Sequence, residues 1–305
     1  MVDLIPDLNN ISLENWDHPV FREHELHADI LRLDKIHPEI SGNKWFKLKY
    51  YLRKAKEENK HTLISFGGAY SNHILALAAA AAMNGFASMG LIRGEESRPL
   101  SHTMASAKEF GMKLQFLSRP EYNDRKNSEA KNNPDLFTPD TLLIPEGGAG
   151  DEGIRGAEDI LSVIPFTGYS HICCAVGTGA TLAGLINRSE RNQKIIGVSV
   201  LKGTRDLNPL DPSWINNKSK LDHVSIIHQD HFGGYAKYNQ LLLDFMNDIF
   251  TKSGIPTDFV YTGKLFYSIV RMAGDNFFPV RGKILILHTG GIQGNRSLPP
   301  GLLQF

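Results

Sequence analysis

Residues 174–185 read CAVGTGATLAGL. Together with the residues just before it, HICCAV (171–176) is an unbroken apolar run of strand length, and ATLAGL has the small, helix-compatible residues of a closely packed helix start. Gly177-Thr178-Gly179 stands between them. A strand apolar on both faces that turns through glycine into a helix is the repeating unit of a parallel sheet covered by helices. The pattern recurs as LISF-GG (63–68), LLIP-EGG (142–148) and LILH-TGG (285–291). Ligands of parallel α/β sheets bind beyond the carboxyl ends of the strands. Glycines there let backbone approach a ligand closely. Several such loops on one chain predict a large site walled by strand ends.

Extending this pattern predicts strands at 62–66, 87–92, 113–117, 141–145, 171–176, 195–200 and 283–288. Helices are predicted at 45–59, 72–84, 100–111, 153–163, 180–190, 236–252 and 262–274. The polar, Asn- and Pro-rich stretch 118–140 reads as a long exposed loop with at most a helical turn. The chain has 305 residues, enough for one large or two ordinary domains. No linker stands out, so a second domain is expected to be inserted in the first. Net charge is zero, which removes an electrostatic case for nucleic acid or an anionic membrane. MVDLIPDLNN (1–10) lacks the basic start and apolar core of a signal peptide, and ILALAAAAAM (74–83) is too short to span a bilayer. The adjacent Cys173 and Cys174 sit in an apolar strand, as buried reduced thiols do. A cytoplasmic enzyme is expected. The histidines are scattered without ligand spacing, so no metal site is expected.

The 174–185 turn is the sharpest anion-binding candidate, because free N–H groups at a helix start beside threonine hydroxyls cradle phosphate. A dinucleotide fingerprint would need glycine where Leu182 stands and an acid near the next strand end, which reads SVLKGT (199–204). A P-loop would need Gly-Lys-Ser/Thr where Ala183-Gly184-Leu185 stand. A phosphate monoester fits better than a nucleotide, and a tight turn without a ligand remains the plain alternative. In FGGAYSNHILALAAAAAMNG (66–85), Ser71 and Asn72 stand at a helix start, where capping alone would explain one of them. In SGNKWFKLKYYLRKAKEENK (41–60), Lys44 stands where the helix dipole disfavours a cation, while Lys47, Lys49, Lys54, Lys56 and Lys60 read as a solvated face. An ordinary surface lysine is the plain alternative for Lys44. Tyr261 is a core tyrosine or a site residue, Thr262 reads as an N-cap, and Thr289 ends a buried strand.

The motifs GNKxxKL (42–48), GGxxSN (67–72), PEGG (145–148), VGTGATLAG (176–184), GGY (233–235), YTGK (261–264) and HTGG (288–291) occur in this order. Together they resemble the 1-aminocyclopropane-1-carboxylate deaminase and D-cysteine desulfhydrase family, a tryptophan-synthase-β-like group of fold-type II pyridoxal 5'-phosphate enzymes. The resemblance implies a two-domain α/β fold of mostly parallel sheets covered by helices. Residues 1–49 plus 151–305 would form the larger cofactor domain and 50–150 a smaller inserted one. It also implies a homodimer acting on a small amino acid. Lys44 would be the Schiff-base lysine and proton carrier. Thr178, Gly179, Ala180 and Thr181 would hold the cofactor phosphate, and Asn72 the ring hydroxyl. Ser71 would face the substrate, with Tyr235 and Tyr261 lining the reacting side. The deaminases resembled here carry Glu after the motif tyrosine, facing the ring nitrogen; Thr262, with Thr289 as a second hydroxyl, stands in for it. A hydroxyl there makes a weaker electron sink, which points to β-elimination from a D-cysteine-like substrate over opening of the cyclopropane. Ser41, Trp45-Phe46, His73 and Ala180 depart from the family pattern. A nucleotide-binding oxidoreductase and a non-catalytic ligand-binding member of the fold are the competing readings.

Overall fold

Burial on both faces decides the architecture. Strands β7 (His171–Val176), β8 (Lys194–Ser199) and β10 (Lys283–His288) are buried along nearly their whole length, and they pair in parallel. The computed structural model describes residues 6–97, 99–127, 133, 134, 136 and 138–305. Within them the larger sheet has six strands in the order β1-β2-β10-β7-β8-β9, where β1 is Ser12–Asn15, β2 is His27–Arg32 and β9 is Val224–Ile227. Only β1 runs antiparallel, against β2. A second sheet of four parallel strands has the order β5-β4-β3-β6, from β3 (Thr62–Gly68), β4 (Ala87–Arg93), β5 (Lys113–Leu117) and β6 (Thr141–Ile144). One continuous segment therefore builds the smaller sheet inside the chain that builds the larger.

Helices cover both sheets. They are α1 (Pro19–Glu23), α2 (Asn43–Glu57), α3 (Asn72–Met83), α4 (His102–Glu109), α5 (Arg119–Asn127), α6 (Asp151–Glu158), α7 (Ala180–Arg188), α8 (Gln240–Ser253) and α9 (Thr262–Gly274). The alanine-rich α3 is buried almost all round, because methyl-sized side chains let it lie close to the sheet. Helix α2 joins the two cores: Phe46 packs in that of the larger sheet, and Leu48, Tyr51, Leu52 and Ala55 in that of the smaller.

Three expectations are corrected. Strands β1, β2 and β9 carry no strong alternation: β1 and β9 are short, half-exposed edges, and β2 becomes strand through pairing with distant β10. The stretch 118–140 is not simply a loop, because Arg119–Asn127 forms α5, with Glu121 in its first turn and Arg125 and Lys126 in its last. The rest of that expectation at 128–132, 135 and 137, and residues 1–5 of the N-terminal one, lie outside the described residues. Lys47 does not belong to a solvated face. It falls in the row Asn43, Lys47, Tyr51, Ala55, four residues apart, which is the buried stripe of α2.

Helices α2, α6 and α7 pack at backbone contact. A Cβ on Gly156 would lie 1.9 Å from the Phe46 carbonyl oxygen and 3.1 Å from the Lys47 Cα. Helix propensity alone favours Gly156→Ala by about 1 kcal/mol. The contact predicts the opposite sign, a destabilisation of about 1–3 kcal/mol from overpacking, read as a lower urea midpoint at unchanged slope.

Candidate active site

The strand ends converge as the glycine loops suggest. Gly68, Arg93 and Glu146 from the smaller sheet face Val176, Leu201 and Thr289 from the larger across a cavity of about 430 Å³. That volume lies within the roughly 300–1,000 Å³ of small-molecule sites. Three lining residues come from α2, whose first turn enters the cavity with Asn43 and Lys44 and whose next turn adds Lys47.

Lys44 is placed there by Gly42. With φ of +63° this residue sits where L side chains are strained, and a Cβ would fall 1.9 Å from the Thr289 carbonyl oxygen. The turn thus brings α2 directly onto the end of β10. Lys44 Nζ donates to Asn43 Oδ1 at 2.7 Å and lies 5.8 Å from the centre of the Tyr261 ring. Burial pushes its pKa down to about 8, partly offset by the Asp258 carboxylate.

Opposite stands the anion cradle. Gly177, Thr178, Gly179 and Thr181 line the cavity, and Asn43 Nδ2 donates to Thr181 Oγ1 at 2.8 Å. Ala180 is fully buried and offers only the backbone N–H of the first turn of α7. Lys47, missed as a site residue, reaches the same end, donating to the Gly147 carbonyl at 3.1 Å. Burial and then Lys44 lower its pKa to about 7. Its signal in the sequence was the four-residue spacing from Asn43.

At the start of α3, Ser71 is the N-cap, its hydroxyl oxygen accepting from Ile74 N–H at 3.3 Å, and its hydroxyl hydrogen remains for a ligand. Asn72 is buried, and its Oδ1 has no partner among the described residues. His73 is also buried and lines the cavity. Ser65 donates its one hydroxyl hydrogen to the Ile144 carbonyl at 2.8 Å, so it can only accept from His73 Nε2 at 2.9 Å. The ring is thereby the Nε2–H tautomer with a bare, unpartnered Nδ1. Burial, with Lys44 and Lys47 nearby, lowers its pKa to about 3 and keeps it neutral.

Tyr235 and Tyr261 meet edge to face, with ring centres 6.0 Å apart. Burial raises both pKa values, so both are proton donors. The Tyr235 loop is tied down by Lys264 Nζ, which donates to the carbonyls of His231 at 2.9 Å and Gly234 at 2.7 Å. Burial brings the Lys264 pKa to about 8. Thr262 departs from its expected place. It does not line the cavity, and its hydroxyl donates to Asp258 Oδ1 at 2.7 Å while accepting from Asp258 N–H at 2.7 Å. Asp258 also accepts from the N–H groups of Val260, Tyr261 and Thr262, so its carboxylate holds the turn that leads into α9, whose N-cap position is Tyr261. Of the two threonines, Thr289 alone presents itself to the cavity. A cation, a phosphate-sized cradle, an unpartnered amide oxygen and two phenols on one cavity fit a phosphorylated aldehyde cofactor and an amino acid together.

No family model matches the chain. A crystal structure of a 1-aminocyclopropane-1-carboxylate deaminase homologue superposes with a TM-score of 0.79 at 26% identity, covering 96% of this chain and 92% of the other. An O-ureido-L-serine synthase, at 14% identity and a TM-score of 0.64, shares the fold. A Pyrococcus abyssi protein provisionally named 1-aminocyclopropane-1-carboxylate deaminase is 26% identical over 95% of this chain and 94% of its own. The mitochondrial bifunctional D-cysteine desulfhydrase/1-aminocyclopropane-1-carboxylate deaminase of Arabidopsis thaliana is 27% identical over 87% of this chain and 72% of its own. The D-cysteine desulfhydrase of Salmonella typhi is 27% identical over 86% of each. The resemblance carried by the seven short motifs thus extends over nearly the whole chain: it is similar in sequence and fold to the 1-aminocyclopropane-1-carboxylate deaminases and D-cysteine desulfhydrases.

Proposed function

We propose that the protein is a pyridoxal 5'-phosphate-dependent lyase that removes a β-leaving group from a small D-amino acid of the D-cysteine type, giving a 2-oxo acid and ammonia. The observation that carries this is the placement of Lys44, a lysine with a lowered pKa, in one cavity with the Gly177–Thr181 cradle and the unpartnered Asn72 Oδ1. The cradle N–H groups, Thr178, Thr181 and the Lys47 ammonium would hold the phosphate, and Asn72 the ring hydroxyl. Bound in this way, the cofactor supplies an electron sink for the substrate α-carbon.

The chain's own groups do the rest. Neutral Lys44 carries protons to and from the α-carbon. Ser71 and the N–H groups at the start of α3 orient the substrate carboxylate. Tyr261 and Tyr235, held protonated, donate to the departing group or its neighbours. Among the lining residues the one carboxylate is Glu146, which is paired with Lys126 at 2.7 Å. With Thr262 turned away, Thr289 is the hydroxyl that would face the ring nitrogen, and a hydroxyl there would favour elimination of a good leaving group over opening of the cyclopropane. We read residues 1–49 plus 151–305 and residues 50–150 as two units whose closure excludes water, and the active form as a homodimer. No helix among the described residues is long and apolar enough to cross a membrane.

Loading with pyridoxal 5'-phosphate is expected to give a visible absorbance band that borohydride bleaches, with the pyridoxyl label on Lys44 by peptide mapping. Because the neutral amine is the nucleophile, the loading rate should rise with pH through about 8, the Lys44 value, and not near the ordinary lysine value. A colourless protein, or a label elsewhere, sinks the assignment. Lys47→Met removes a charge-assisted bond to phosphate and should weaken cofactor binding about tenfold to a hundredfold in a fluorescence titration. The loaded enzyme should release pyruvate from D-cysteine faster than 2-oxobutyrate from the cyclopropane acid; the reverse order would overturn the choice of substrate.

A further inference from the structure

Three features of the molecule remain outside this account: the neutral His73, the Lys264 clamp and Arg93. Arg93 carries the most. It ends β4 at the mouth of the cavity, exposed on one side and lining the site on the other. Among the described residues its guanidinium has no carboxylate and no hydrogen-bond acceptor; its one contact is the face of Tyr122, with the Arg93 Cζ 5.7 Å from the ring centre. A terminal nitrogen lies 3.8 Å from the position of a Cβ on Gly68, in the loop leading to Ser71. Its charge acts on Tyr235, favouring the phenolate against the larger effect of burial. The one acid among the lining residues, Glu146, is already engaged by Lys126. A planar five-donor fork, held over an aromatic face and without an anion, is a carboxylate receptor.

Position decides which carboxylate. On the lyase reading, the α-carboxylate of an amino acid joined at Lys44 would lie beside Ser71 and the start of α3, where Asn72 and His73 are buried. Arg93 lines the same cavity but is exposed, and it approaches from the Gly68 side. Resting on the lyase reading above, we propose that Arg93 recognises an acidic group at the far end of the substrate side chain. The preferred substrates are then β-substituted alanines whose leaving group carries a carboxylate, such as S-carboxymethylcysteine. In its elimination the Cα–H and Cβ–S bonds break. Lys44 takes the α-proton, and sulfur leaves with the Cβ–S electron pair as a thiolate that picks up a proton. One water then hydrolyses the released enamine, so that mercaptoacetate, pyruvate and ammonia balance substrate plus water.

The test compares the loaded wild-type enzyme with Arg93→Gln and Arg93→Lys. Turnover is measured on S-carboxymethylcysteine and its neutral isostere S-carbamoylmethylcysteine, in both chiral forms, and on D-cysteine. Calorimetric binding is measured with 2-aminoadipate, which has the same length and no leaving group, and with its 6-amide. Wild type should favour acid over amide about tenfold to a hundredfold in kcat/KM and in binding. Arg93→Gln should bring both ratios near one, and Arg93→Lys should keep part of them. Equal acid and amide in the wild type, with D-cysteine turned over, overturns the Arg93 assignment and leaves the lyase reading intact. An acid preference in binding that Arg93→Gln abolishes, with no turnover of any compound, supports Arg93 and overturns the lyase reading. Equal losses for acid, amide and D-cysteine in Arg93→Gln overturn the assignment by showing that the guanidinium serves the common part of the substrate or the fold.

Discussion

The turn at Gly42 lies against the backbone of Thr289 and Gly290 so closely that a methyl group could not be inserted. Everything in the cavity depends on that contact. It fixes the first turn of α2 on the end of β10, which carries Asn43 to Thr181, Lys44 beneath Tyr261 and Lys47 to Gly147. Because α2 also packs into both cores, the same contact ties the smaller sheet to the larger at the level of the site. A lysine in a flexible loop could not be kept dry at a fixed distance from a phosphate cradle; one in the first turn of a wedged helix can.

Electrostatics follow from this enclosure. Lys44, Lys47 and His73 line the same cavity, and each holds its proton less firmly than it would in water: burial penalises the charge on all three, Lys44 adds to the effect on Lys47, and both lysines add to it on His73. An incoming dianion would offset the penalty on Lys47, which burial and Lys44 together impose. The tyrosines move the other way, so the site holds weakened cations on one side and reluctant acids on the other. That is the separation a proton-transfer enzyme needs near neutral pH.

Much of this was legible in the sequence because local chemistry and global fold agree. β7, β10 and α9 have the bounds their patterns predict, since each is buried by its own apolar residues; β5 has its predicted bounds too, although only Leu117 of it is fully buried. Lys44, Ser71, Asn72, Tyr235 and Tyr261, grouped by the resemblance of the seven motifs, line one cavity. What was hidden depends on distant chain. β2 has an ordinary composition and is fixed as a strand by β1 and distant β10. Lys47 looks like any helix lysine until its row is traced through Asn43 and Tyr51. Thr262 looked free because Asp258, four residues earlier, gave no sign that it would take the hydroxyl and three backbone N–H groups.

The pairing of β2 with β10 has a consequence for how the protein is made. His27 finds Lys283 across almost the whole chain, whereas the four strands of the smaller sheet are neighbours in sequence. As the ribosome extrudes the chain, the 62–144 segment can pair at once. β1 and β2, joined through α1, wait for β10, which links them to β7. The part of the cavity walled by Gly68, Ser71 and Asn72 can therefore form before the part that needs β10. The cavity is complete only when the Thr289 turn, which follows β10, closes on Gly42.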